Sequence, residues 1–144
     1  MRRRLPNIPL PNRRYVPGEM PHPRHLSASV IPTLALATVD SIWLDTRWLY
    51  GLDLFDAAFY WESHEVWEEL WHTLGKTEPD AQLIQGMIQL AASLLTAELG
   101  REAASIRLLA RAQAKLQVGQ DTEHPAYPDV SRSLEYAHLH RGQG

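Results

Sequence analysis

The sequence predicts an all-α bundle of four main helices plus a short C-terminal helix, preceded by a proline-rich extended N-terminal arm. Three observations carry this. From Ile42 onward, apolar residues recur at helical spacing in four successive segments. Capping and stop residues stand between those segments where helices would begin and end. No stretch shows the strict alternation of a half-buried strand. At 144 residues the chain is sized for one helical domain, expected over residues 33–144, with the arm over residues 1–32.

The arm holds seven of the ten prolines, which rules out a helix or central strand there. Its Arg2-Arg3-Arg4 start resembles an export signal, but Pro6, Pro9 and Pro11 break the apolar stretch such a signal needs. Residues 1–25 carry a net charge of +5 and the remainder −8. A basic arm on an acidic body can bind an anionic partner, or fold onto its own body or a neighbouring subunit. Only Tyr15 interleaves an aromatic with the arginines, which argues against nucleic acid.

Helix one is expected over about residues 41–52, with Ile42, Trp43, Leu44, Trp48, Leu49 and Leu52 inward and Asp40 or Ser41 as N-cap. A bend over Gly51 to Asp56 would follow. Helix two is expected from about Ala57 to Leu74, stopped by Gly75. Helix three opens at Thr77-Glu-Pro-Asp and runs to about Leu99, with Gly100 as its stop. Its polar strip, Gln82, Gln85, Gln89, Ser93 and Thr96, carries no charge, which suits buried polar contacts better than open water. Gly86 in mid-helix costs about 1 kcal/mol against Ala, so close approach of another helix is its expected use. Helix four spans about Arg101 to Val118 and ends at Gly119, with Arg107, Arg111 and Lys115 as a solvated stripe. A short last helix spans about Asp129 to His140.

The chemistry concentrates in helix two. At about 100° per residue, Phe59, Tyr60, Val66, Trp67, Leu70, Trp71 and Leu74 share an apolar face, and Glu62, Glu65, Glu69 and His72 face water. His64 and Glu68, neighbours at i,i+4, sit on the border. A His and a carboxylate so spaced can share a metal, as on a zincin helix, but a metal needs further ligands and helix three offers only Gln. No metal or other cofactor is therefore expected. The Glu69/His72 and Glu135/His138 pairs have the spacing used by di-iron bundles, but the first points outward. The reading favoured by the residues is a packing clip, with His64 and Glu68 facing Gln85 and Gln89 across antiparallel helices two and three. The competing reading is a metal-dependent or general acid/base enzyme. There His64, Glu68 and Glu65 are the candidate catalytic residues, and Trp67 or Trp71 wall a pocket.

The strings Ser63-His-Glu-Val-Trp-Glu-Glu-Leu-Trp71 and Gln85-Gly-Met-Ile-Gln-Leu-Ala-Ala92, followed by Ala104 to Leu116, resemble the domain-of-unknown-function family 309. The resemblance implies a small all-helical bundle and no established activity. His64, Glu65, Glu68, Trp71, Gln85, Gly86 and Gln89 match the family's motif positions. Ser63 stands where Ala is more usual, and Glu102-Ala103-Ala104 departs from the familiar Gly-Ala pair.

The expected function is thus binding of a protein partner or self-association as a homo-oligomer, with the His/Glu/Gln cluster fixing helix packing. The lack of cysteine fits a cytoplasmic location, and no apolar run is long enough to suggest a membrane span.

Overall fold

The computed structural model describes residues 3–15, 42–74, 79–121 and 126–141. Among these residues there are five α-helices and one 3-10 turn, with no strand. The turn, Ile42–Leu44, leads into α1, Thr46–Asp56. Then come α2, Tyr60–Trp71; α3, Pro79–Glu98; α4, Glu102–Asp121; and α5, Tyr127–Arg141. The expected all-α class is what is found. The expected caps Asp40 and Ser41, the stop Gly75 and the opening Thr77 lie outside the described residues.

Helix α1 begins and ends later than its apolar pattern suggests. Asp45 is the N-cap, accepting from Arg47 N–H at 2.8 Å. The expected bend after Gly51 does not occur; the helix continues to Asp56. Gly51 stays helical because the Trp67 indole lies directly over it. The actual break is a Schellman closure: Ala58 N–H donates to Phe55 C=O at 3.0 Å and Phe59 N–H to Leu54 C=O at 2.8 Å. Ala58 takes the left-handed position that Gly usually fills, at φ 67°. The same closure ends α3, with Gly100 at φ 75°.

Helix α3 is the centre of the bundle, packing against α2, α4 and α5. Its wide apolar arc supplies Leu83, Ile84, Met87, Leu90 and Ala91 to a core completed by Trp48, Phe55, Trp67 and Leu116. Gly86 serves the close approach its position suggested: a Cβ there would stand 2.6 Å from Leu116 Cδ2. Gly119 does not end α4 as expected. It lies inside the helix, where a Cβ would meet Tyr127 at 2.8 Å and Leu83 at 2.9 Å.

The uncharged strip of α3 is used much as its composition implies. Ser93 and Ser105 join α3 to α4 by reciprocal bonds, each hydroxyl donating to the other's carbonyl at 3.0 and 2.7 Å. Gln82 accepts from Lys115 at 3.1 Å. Thr96 turns back onto Ala92 and Ser93 carbonyls of its own helix.

The arm, read from composition as an extended terminus, lies on the body over residues 3–15 and is not extended throughout: it turns at Leu5–Ile8, where Ile8 N–H donates to Leu5 C=O at 3.1 Å. Leu5, Ile8 and Leu10 pack with Tyr50, Leu54, Phe59 and Val66 in a second, smaller core. Asp53, only 2% exposed, accepts from the backbone N–H groups of Arg4 and Leu5 at 2.8 and 2.9 Å. Arg3 Nε stands 3.1 Å from the same carboxylate, an ion-pair contact whose angle is not that of a hydrogen bond. Arg4 reaches Asp56 at 2.8 Å and Asp129 at 3.1 Å. Burial works to lower the Arg4 pKa; the bonds to Asp56 and Asp129 outweigh it and hold the guanidinium charged. Tyr50 donates its hydroxyl to Pro9 C=O at 2.7 Å.

Candidate functional site

Helix α2 has no side-chain cap at Phe59, and its first turn is steadied from elsewhere. Glu62, placed by its helical angle on the solvent face, is only 2% exposed. Its Oε2 accepts from the Tyr15 N–H at 2.7 Å, and the Tyr15 ring packs edge-on to Trp61. Burial pushes the Glu62 carboxyl above its ordinary pKa, opposed by the hydrogen bonds it accepts and by Arg14. The helical wheel of α2 carries no information about the arm that covers this face. Glu69 and His72 are exposed as expected.

Two residues further along, the imidazole of His64 lies between two carboxylates of its own helix. Nε2 is 2.6 Å from Glu68 Oε1, and Nδ1 is 3.6 Å from Glu65 Oε1. The ring is half-buried, with 26% of its side chain exposed, against 36% for Glu65 and 41% for Glu68. Glu65 therefore does not simply turn away into water; it completes a group in which one ligand atom from each residue lies within 4.8 Å of the others. Among the described residues, this is where His and carboxylate groups come close enough to share a cation. The third group near His64 and Glu68 is thus the residue next to His64 itself, Glu65.

Glu68 also borders a hollow of about 200 Å³ lined by Trp71, His72, Gln85 and Ile88. So Glu68 and Gln85 do share one space across α2 and α3. The expected clip is nevertheless not the arrangement observed. The polar contacts of His64 among the described residues are with Glu65 and Glu68, not with Gln85 or Gln89. Gln89 Oε1 is buried with no hydrogen-bond partner among the described residues.

Trp71 is half-buried at the hollow, whereas Trp67 is fully buried in the core and donates its indole N–H to Trp48 C=O at 3.3 Å. Ser63 is buried too, bonding back to Tyr60 C=O at 3.0 Å rather than joining the His64 group. His138 is exposed, its Nε2 lying 2.6 Å from Gln113 Nε2. The residue that helical periodicity missed is Glu62, and the signal that could have found it is the basic arm.

A small helical bundle with a His/Glu/Glu group at the rim of an aromatic-walled hollow is the class these features define. Residues 48–108 match the family model described as Domain of unknown function (DUF309), and the chain carries a DUF309 domain over those residues. The match starts inside α1 and ends in α4, so it spans His64 to Glu68 and Gln85 to Gln89, and leaves the arm and α5 outside. Neither a curated protein nor a solved structure matches the chain. No helix among the described residues is long and apolar enough to cross a membrane.

Proposed function

We propose that the domain binds one divalent transition-metal ion through His64, Glu65 and Glu68, with a small polar ligand or substrate seated beside it in the hollow of Trp71, Gln85 and Ile88. The observation that supports this is the convergence of one imidazole nitrogen and two carboxylate oxygens within 4.8 Å. Metal–ligand bonds of about 2.0–2.2 Å need ligand atoms no more than roughly 4.2 Å apart, so modest rotations of three half-exposed side chains suffice.

One nitrogen and two oxygen ligands suit Zn²⁺, Mn²⁺ or Fe²⁺. Three protein ligands also leave coordination positions open, as a reactive metal site requires. Bound there, the metal would acidify a water or polarise a carbonyl or phosphoryl oxygen. Gln85 offers both a donor and an acceptor to whatever the hollow holds.

The test is titration of the chelator-treated chain with Zn²⁺ and Mn²⁺ by calorimetry. One equivalent should bind. His64→Ala should weaken binding by more than the roughly tenfold to hundredfold typical of losing an outer-shell partner. Absence of stoichiometric binding, or equal affinity in His64→Ala, would overturn the proposal.

A further inference from the structure

We infer that the groove holding residues 3–15 is an exchange site, able to take the N-terminal arm of a second copy of this chain. The groove has the features of a recognition site for a basic segment shaped by one tight turn, in which Ile8 N–H donates to Leu5 C=O at 3.1 Å. An apolar floor of Tyr50, Leu54 and Val66 receives Leu5, Ile8 and Leu10. Buried carboxylates of the body then fix the arm's backbone at both ends: Asp53 takes two N–H groups near its start, and Glu62 takes the N–H of Tyr15. Main-chain bonds give such a segment affinity, and pockets for its apolar side chains give it specificity. Charge adds to the fit, since an arm region of +5 meets a remainder of −8.

Nothing in these contacts specifies which copy supplies the arm. Between Tyr15 and Ile42 run 26 residues, 16–41. Fully extended, they could span about 85–95 Å, against a radius of gyration near 14 Å for a domain of this length. A connection of that contour length is long enough for a neighbour's groove as well as its own. Exchange of an identical element between protomers loses no contact. The tether gives the chain's own arm an effective concentration on the order of millimolar, so exchange sets in with concentration and is reciprocal. Each arm withdrawn from its own body is replaced by the partner's, and neither groove is left empty. A second copy is the partner to expect because the segment seated in the groove is this chain's own sequence. The inference uses none of His64, Glu65 or Glu68, so it stands or falls apart from the metal reading.

The chain has no cysteine, which makes cross-linking at introduced thiols clean. Arg14 and Glu98 are in direct ion-pair contact, joining the arm to the end of α3. A tagged Arg14→Cys chain is mixed with an untagged Glu98→Cys chain at high concentration, incubated and treated with a thiol-reactive bis-maleimide, whose span replaces the reach of the two long side chains; a disulfide would need Cα atoms within about 7 Å. The control pairs the same arm variant with Arg111→Cys, on the exposed face of α4. The expected result is a cross-linked heterodimer formed several-fold more than in the control. It should fall to the control level when the arm chain also carries Arg4→Glu, which leaves the receiving groove intact. Heterodimer at the control level would overturn the inference, whether or not an Arg14→Cys/Glu98→Cys double variant closes within one chain. So would a heterodimer indifferent to Arg4→Glu.

Discussion

The backbone of Gly51 lies flat against the indole of Trp67: a Cβ added to Gly51 would stand 2.0 Å from the Trp67 Nε1. Because Trp67 donates that N–H to Trp48 and fills the core beside Phe55, the ring has little room to retreat. Gly51→Ala should therefore destabilise the fold by about 1–3 kcal/mol or more, as overpacking does, despite the helix propensity of Ala. Urea unfolding measures it. Gly86→Ala, whose Cβ would stand 2.6 Å from the Leu116 side chain, should cost less. A Gly51→Ala chain as stable as the parent would mean α1 and α2 are not so closely apposed.

Ala58 is the complementary case. It occupies a left-handed position at about 1–2 kcal/mol of steric cost, and replacing it with Gly adds back about 0.4–1 kcal/mol of unfolded-chain entropy. The first figure is the larger, so Ala58→Gly should raise stability by up to about 1 kcal/mol. A thermal melt no higher than that of the parent would contradict the Schellman geometry between α1 and α2.

Removing the Asp53 carboxylate leaves the N–H groups of Arg4 and Leu5 without their acceptor and Arg3 without its counter-charge. Asp53→Ala should cost about 3–5 kcal/mol, the usual effect of breaking a buried charge pair. It should also release the arm. Limited trypsin digestion should then cut at Arg3, Arg4 or Arg14 faster than in the parent, where these side chains are held on the body.

For Glu62 the pH dependence follows from the direction of its shift. Its folded pKa lies above the ordinary 4.5 because burial disfavours the charge. Between the unfolded and folded values the native state binds more protons, so stability falls as pH rises through that window and levels off above it. Glu62→Gln removes this ionisation and can still accept from Tyr15. Its stability relative to the parent should therefore increase from acid pH up through the region just above 4.5, then stay constant. A difference that shrinks with rising pH would reverse the sign of the argument.

His64→Ala separates a site from a packing clip. A half-exposed His/Glu pair on one helix contributes about 0–1 kcal/mol. The variant should therefore melt within a few degrees of the parent while losing metal binding. A loss of several kcal/mol with metal affinity retained would restore the clip.

Helix existence was legible in the sequence because apolar periodicity is a local property: each of α2, α3 and α4 carries its own stripe. Gly86 could be read for the same reason, since a glycine inside a strong helical pattern calls for a close neighbour. Helix ends were less legible. Gly51 and Gly119 look like breakers to local rules, but they sit within helices because Trp67 in one case, and Tyr127 with Leu83 in the other, need the space of the missing side chain. The His64/Glu68 pairing was visible at i,i+4, whereas the participation of Glu65 depends on where a flexible carboxylate comes to rest.

By itself the sequence determined an all-helical body, a proline-rich start that is not helical over residues 3–15, and the short run of α2 where an imidazole and carboxylates gather. These depend on backbone periodicity and on the lost N–H of proline, which no distant contact alters. Only the tertiary structure decided that Glu62 is buried, that Asp53 receives the arm, and that His64 turns to its own helix rather than to Gln85 and Gln89. Each of those outcomes depends on which surfaces meet across 40 or more residues of chain, or on a choice between competing partners, and hydrophobic burial sets those pairings without leaving a periodic trace.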